Sequence, residues 1–176
     1  MVKRNHNKIS IYPGRFQPFH LGHLKAINYI LKEEKELIIV IENATESFTL
    51  SNPFTAGERI EMIRNTLKVE NIDLTRILLI PVSNIENNAQ WVNYLKTMLP
   101  DFDICYSNNN LVKVLMQEAG VTVKEIPFLN RDIYQGNLIR ARIIANEPWK
   151  ELVPEQVYNI IMNKGLDKRI RRISEE

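Results

Sequence analysis

One cysteine, Cys105, occurs in 176 residues, so no internal disulfide can form and cysteine usage gives no sign of an oxidising compartment. No apolar run approaches the roughly 18 residues that a membrane-spanning helix needs. The N-terminal MVKRNHNK is polar and basic, and only ISIY follows before Pro13 and Gly14. That is too short for the apolar core of a signal peptide. The formal net charge is only +2, which gives no reason to expect a nucleic-acid partner. Internal repeats, low-complexity stretches and Gly/Ser linkers are missing as well. These absences leave a cytoplasmic protein, with no membrane and no nucleic acid as partner, whose residues 1–176 fit one domain with a full core. Positive charge gathers only in the C-terminal LDKRIRRI. A solvated or subunit-facing helix end accounts for so few charges better than an RNA contact does.

What is present alternates between strand and helix. Ile9 to Tyr12 is a short apolar run stopped by Pro13-Gly14, and Leu37 to Ile41 is five aliphatics in a row, the pattern of a strand covered on both faces. Ile77 to Val82, Asp103 to Tyr106 and Val121 to Ile126 complete five strands. Between them, Leu24, Ile27, Ile30 and Leu31 recur at helical spacing within Leu21 to Glu34. A second helix opens at the capping box Thr55-Ala56-Gly57-Glu58. Helices are also expected over Ala89 to Leu99 and over Asn110 to Ala119, the latter capped by Gly120. Two more, Leu138 to Ala145 and Pro154 to Lys164, form a helical segment from about 137 to 173. The expected class is α/β: a Rossmann-like parallel five-stranded sheet with helices on both faces and a short C-terminal helical segment. Ligands in such folds bind beyond the carboxyl ends of the strands, so the loop after the first strand is where chemistry is sought.

Two of the three histidines, His20 and His23, lie at that loop's junction with the first helix, in Gly14-Arg15-Phe16-Gln17-Pro18-Phe19-His20-Leu21-Gly22-His23. Gly14 permits a tight turn and Pro18 an extended loop. His20 and His23 sit one turn apart on one face, and Gly22 lets a ligand approach the backbone. A helix N-terminus attracts phosphate, and Arg15 adds a planar, permanently charged fork. Two histidines three residues apart can also hold a metal, but no cysteine or acidic cluster accompanies them. Neither G-x-G-x-x-G nor a Walker A sequence is present.

The segment G-R-F-Q-P-F-H-x-G-H resembles the H-x-G-H signature of the nucleotidylyltransferase superfamily, in the form of archaeal-type nicotinamide mononucleotide adenylyltransferases. Asn52-Pro53-Phe54-Thr55-Ala56-Gly57-Glu58-Arg59 is similar to a second family segment, and Asn88-Ala89-Gln90-Trp91 to the family's N-x-x-W. Tyr106-Ser107, Leu111-Val112, Asn130-Arg131 and Leu152-Val153-Pro154 match in order. The resemblance implies adenylyl transfer from ATP to nicotinamide mononucleotide, giving NAD and pyrophosphate, with Mg²⁺ arriving on the triphosphate. It implies catalytic roles for His20, His23, Arg15 and Arg140. ATP contacts fall to Gly14, Phe16, Gly22, Asn108, Tyr134, Gly136, Asn137 and Ile139. Acceptor contacts fall to Asn88, Trp91 and Arg131, Trp91 by stacking on the nicotinamide ring. It also implies a homo-oligomer, often a hexamer among archaeal-type members.

The pattern departs from the family at Gln135-Gly136-Asn137, where hydroxyls are expected and Asn137 is left to cap the helix. It departs also at Glu42, which brings negative charge to the acceptor side, and at Phe48 in place of a histidine. Two other readings therefore stand: a nucleotidylyltransferase with another phosphorylated acceptor, such as nicotinic acid mononucleotide or a pantetheine phosphate, and a non-catalytic nucleotide-binding module. Arg142 and Trp149 are read as solvated and core-packing, and Asn109, like Asn108, as either a nucleotide contact or part of a polar turn.

Overall fold

The computed structural model describes residues 9–127 and 132–175. Along the chain come β1 (Ile9–Gly14), α1 (Leu21–Glu33), β2 (Glu36–Ile41), α2 (Ala56–Val69), β3 (Ile77–Pro81), α3 (Asn88–Met98) and β4 (Ile104–Tyr106). These are followed by α4 (Asn110–Glu118), β5 (Thr122–Lys124), α5 (Gly136–Ile144), α6 (Glu155–Asn163) and α7 (Leu166–Ile173). The strands form one parallel sheet in the order β3-β2-β1-β4-β5.

The unbroken aliphatic run of β2 is explained by burial on both sides. Leu37, Ile39 and Ile41 pack with Ile27 and Ile30 of α1 and Met62 and Ile63 of α2. Ile38 and Val40 face the opposite way, toward Trp91 and Leu95 of α3 and Met116 of α4. Each such side chain contributes about 1.5–3 kcal/mol by leaving water. The Arg76 guanidinium donates to the carbonyls of Leu31, Glu34 and Lys35, which covers the open end of α1.

Several expectations shift at their edges. β5 is three residues rather than six, and β1 runs on through Gly14. Gly120 does follow α4, with φ of 74°. At the C-terminus there are three helices rather than two. Gly165 (φ 65°) turns the chain into α7, whose Leu166 and Ile170 are buried. The basic LDKRIRRI is therefore an amphipathic helix with Arg169 and Arg171 bonded inward and Arg172 exposed. Arg169 forms a two-pronged ion pair with Glu58, and Arg171 donates to Asp167 and to the Ile143 carbonyl. Its apolar spacing, hidden under a high density of charge, is what closes it onto α5 and α6. No helix among the described residues is long and apolar enough to cross a membrane.

Candidate active site

β1 lies between β2, which follows it in sequence, and β4, which does not. The chain therefore leaves the carboxyl ends of β1 and β4 in opposite directions and opens a crevice there. The loop after β1 and the start of α1 form one wall. Its tight turn is made differently from the sequence expectation: the left-handed residue is Phe16, with φ of 51°, and not Gly14. Gly14 is needed for space instead, since a Cβ there meets the Phe16 ring at 2.9 Å. The Gln17–Pro18 peptide is cis, where an extended segment is expected.

His20 is the N-cap of α1. Its Nδ1 accepts from the His23 N–H at 3.3 Å, and the His23 Nδ1 accepts from the His20 N–H at 3.2 Å. This is a capping box built from two imidazoles. The rings stack with centroids 3.5 Å apart and planes 16° from parallel. A nitrogen that accepts carries no proton, so each neutral ring holds its proton on Nε2, the nitrogen on the far side from the cap. Adding a second proton breaks the cap. Burial reinforces this: it lowers the His20 pKa to about 4 and holds His23 well below the usual range, His20 adding to the effect. Phe16 and Phe19 fix the His23 ring from two sides, at 4.7 and 5.6 Å.

Two clefts meet at these imidazoles. One, of about 290 Å³, includes Tyr12, Gly22, Ser107 and Asn108 in its lining. The other, of about 420 Å³, includes Arg15, Gln17, Gly136 and Arg140. Together they reach the size of a small-molecule site. Gly22, which lines the first, is needed for space, since a Cβ there comes 2.9 Å from that of Tyr134 and 3.1 Å from the His20 ring. In the second, Arg140 donates to the Gln17 carbonyl at 2.6 Å. Burial and the like charge of Arg15 bring Arg140 down to about 10, so it stays cationic at neutral pH. Among the described residues neither guanidinium has a carboxylate within ion-pair distance. The first turn of α5 closes this cleft with no side-chain cap on its N–H groups. The arrangement offers two neutral N–H donors, two cations and an open helix end. It is suited to a polyanion.

The structure thus brings together Arg15, Phe16, His20, Gly22, His23, Asn108, Gly136, Asn137 and Arg140. Asn137 is not the cap: α5 begins at Gly136, so Asn137 already lies in the first turn, with its side chain exposed and no side-chain cap bond at this end. The Ile139 side chain is fully buried in the core, so only its backbone can meet a ligand. Tyr134 accepts from Lys25 and packs on Gly22. The Asn108 amide is taken by both backbone groups of Ile126, and Asn109 caps α4. Asn88 is the first residue of α3, capped by Asn87, and Trp91 packs in the core behind Val40. Neither lines these two clefts. Arg131 lies outside the described residues. Trp149 packs on Tyr158, and Arg142 pairs with Glu151.

Three residues carry more than the sequence suggested. The Gln17 amide pairs with both backbone groups of Phe54, locking the loop to the segment before α2. Glu42, at the end of β2, is pushed up to about 7 by burial, against the pull of Arg15. Arg59 is fully buried. Its sequence signals are its place at the end of the Asn52–Arg59 segment and a charge at an apolar-face position of α2.

A family model described as cytidylyltransferase-like matches residues 11–161. A nicotinamide-nucleotide adenylyltransferase of Saccharolobus solfataricus is 48% identical over 163 residues, covering 93% of this chain and 95% of that protein. One from Methanococcus aeolicus is 48% identical over 161 residues, covering 92% of each. One from Ignicoccus hospitalis is 45% identical, covering 94% and 97%. Among solved structures, a bifunctional NMN adenylyltransferase/ADP ribose pyrophosphatase of Francisella tularensis, complexed with AMP and a manganese ion, superposes with a TM-score of 0.79 at 20% identity. It covers 97% of this chain, which spans about half, 53%, of that longer one. That likeness establishes the fold.

Proposed function

The chain belongs to the cytidylyltransferase-like family, and on that premise we propose that it is a nicotinamide-nucleotide adenylyltransferase, joining ATP and nicotinamide mononucleotide into NAD and pyrophosphate. The acceptor reading rests on relatives of that name at 40–48% identity. The chemical reading rests on one observation above the others: the reciprocal imidazole cap, which turns both Nε2–H groups away from the helix beside Arg15 and Arg140.

In the reaction an oxygen of the acceptor's phosphate forms a bond to the α-phosphorus of ATP. The bond from that phosphorus to the bridging oxygen breaks, and its electron pair leaves on pyrophosphate. The nucleophile is an anion already, so no protein nucleophile or strong base is required. The protein's part is alignment and neutralisation of growing charge. His20 and His23 donate Nε2–H bonds to phosphate oxygens without adding a cation where two arginines already repel. Arg15 and Arg140 balance the triphosphate, and the open start of α5 presents further N–H donors. Mg²⁺ belongs to the substrate. It would be held mainly by the ATP phosphates and keep several waters, since Mg²⁺ needs few protein ligands. The cytoplasm is the proposed compartment and a homo-oligomer the proposed assembly.

Purified protein incubated with ATP, Mg²⁺ and, separately, nicotinamide mononucleotide, nicotinic acid mononucleotide and a pantetheine phosphate tests this. NAD and pyrophosphate from the first acceptor at the highest kcat/KM is the expected result. Preferred turnover of another acceptor overturns the acceptor, and no pyrophosphate with any of them overturns the chemistry.

A further inference from the structure

We propose that Arg59 is a positioning residue for adenylyl transfer, its guanidinium holding the loops after β1 and β2 in one arrangement and so aiming Arg15 into the cleft. The inference deepens the function proposed above and rests on it.

Arg59 has no exposed surface, and its donors end on backbone carbonyls from three segments. Nη1 donates to the Arg15 carbonyl at 2.8 Å and to that of Glu42 at 2.6 Å. Nη2 donates to Asn43 at 3.0 Å and Nε to Thr55 at 3.3 Å. A rigid planar fork is the one side chain that reaches so many acceptors at fixed angles. Burying a cation is costly unless it is paired or saturated with hydrogen bonds. Here the saturation comes from carbonyls, with Glu46 the carboxylate that faces it. Burial lowers Arg59 to about 10, so it is charged at neutral pH.

A purely structural tie between β1 and β2 does not call for this. Strand register already joins Gly14 to Ile41, and the Glu42 N–H donates to the Gly14 carbonyl. What the backbone leaves unfixed is the next peptide. The Arg15 carbonyl that Arg59 grips belongs to the peptide leading into Phe16, whose φ of 51° is the loop's left-handed turn. A non-glycine residue in that region persists only where its surroundings over-determine it. Holding that carbonyl fixes the direction in which the Arg15 side chain leaves the backbone. The same Nη1 holds Glu42, the residue beside Arg15 across the strands, so the loops after β1 and β2 are set by one group.

The test is a double-mutant cycle read by NAD formation, with kcat and KM per folded protein. Wild-type turnover is measured first, and its absence counts against the function alone. If another acceptor turns over, the cycle is run on that reaction. Arg59→Lys keeps the charge but loses the fork. It is expected to lower kcat roughly 10- to 100-fold, the scale of a sub-ångström to ångström misplacement, with the KM for ATP within about threefold. In an Arg15→Ala background the same change is expected to cost less than about threefold, because the group it aims has gone. Equal losses in the two backgrounds, or wild-type kcat in Arg59→Lys, overturn the proposal. Should Arg59→Lys fail to fold, Glu46→Gln removes the charge facing Arg59 from a half-exposed site. A several-fold loss that vanishes without Arg15 supports the proposal, and a loss that persists overturns it.

Discussion

The starts of α1 and α2 are built on one plan and put to different uses. At α2 the Thr55 hydroxyl accepts from the Glu58 N–H at 3.2 Å, and the Glu58 carboxylate accepts from the Thr55 N–H at 2.9 Å. At α1 two imidazoles make the same reciprocal bonds. The difference lies in what capping leaves over. The remaining capacity of Glu58 is consumed by Arg169 of α7 at 2.8 Å to each oxygen. Burial works against that carboxylate, but Arg169 and Thr55 together keep its pKa below the usual value. The imidazoles keep Nε2 free of the cap, where the two clefts meet. Capping geometry thus serves as scaffold at α2 and as a means of aiming donors at α1.

The largest expected effect breaks the α1 half of this comparison. His23→Ala removes one preorganised donor and is expected to lower kcat/KM for NAD formation about 10²–10³-fold. His23→Asn separates cap from chemistry, since its amide oxygen can still accept from His20 while Nε2 is lost. It is expected to be nearly as inactive as alanine but more stable to urea. An active His23→Asn assigns the histidine to capping alone. A smaller contrast uses glycines in the first turns of α5 and α2. A Cβ at Gly136 comes 2.8 Å from the Gln17 carbonyl and 3.2 Å from Arg140. Gly136→Ala is therefore expected to cost roughly tenfold in kcat/KM by displacing that arginine. At Gly57 the nearest atom is 3.9 Å away, so Gly57→Ala is expected to raise stability by about 0.4–1 kcal/mol with kcat/KM unchanged.

The difference between these regions also explains what the sequence could and could not disclose. The capping box at Thr55 and the histidine pair survive folding because each depends on neighbours within four residues, and the unbroken β2 run is legible because a strand covered on both faces must be apolar throughout. Asn137 and Gly14 mislead because the helix boundary and the left-handed turn each sit one or two residues away, set by packing against Gln17 and His23. The segment ending at Arg59 is legible, but what Arg59 holds is hidden for a different reason. Three of its four carbonyl partners lie 16, 17 and 44 residues away in sequence, and nothing in a helical stripe distinguishes a buried arginine from a solvated one. The α7 arginines are the converse case, read as surface charge because Glu58 stands 111 residues from Arg169.

Acidity offers a test that acts on the two regions in different pH windows. The unfolded imidazoles take up protons below their ordinary 6.5, whereas folded His20 does so only near 4. The unfolded state therefore binds more protons between those values, and stability present above pH 6.5 is lost as pH falls through that range. Glu42 acts in the opposite sense. Its folded pKa of about 7 lies above the ordinary 4.5, so it destabilises increasingly as pH rises from 4.5 to 7. Glu42→Gln is expected to be more stable than wild type at pH 8, with the gap closing by pH 4.5. In that background, urea midpoints falling between pH 6.5 and 4 report the histidines. A flat profile there means the imidazoles titrate normally and the cap does not hold their tautomers. Glu58 loses its contribution only lower, because its carboxylate is held below its ordinary value.

The smallest effect concerns the α2 cap itself. Thr55→Ala removes the hydroxyl that accepts from Glu58 and is expected to cost about 1 kcal/mol, a Tm decrease of roughly 2–4 °C at this chain length. Activity per folded molecule is expected to stay within about threefold, because the Thr55 carbonyl, which accepts from both the Arg59 N–H and its Nε, is untouched. Thermal unfolding and NAD formation on the same preparation check both halves. A kcat loss beyond threefold at unchanged folded concentration means that loosening this turn shifts Arg59. The start of α2 then ceases to be scaffold alone, and the geometry that aims Arg15 reaches back to the cap from which Arg59 projects.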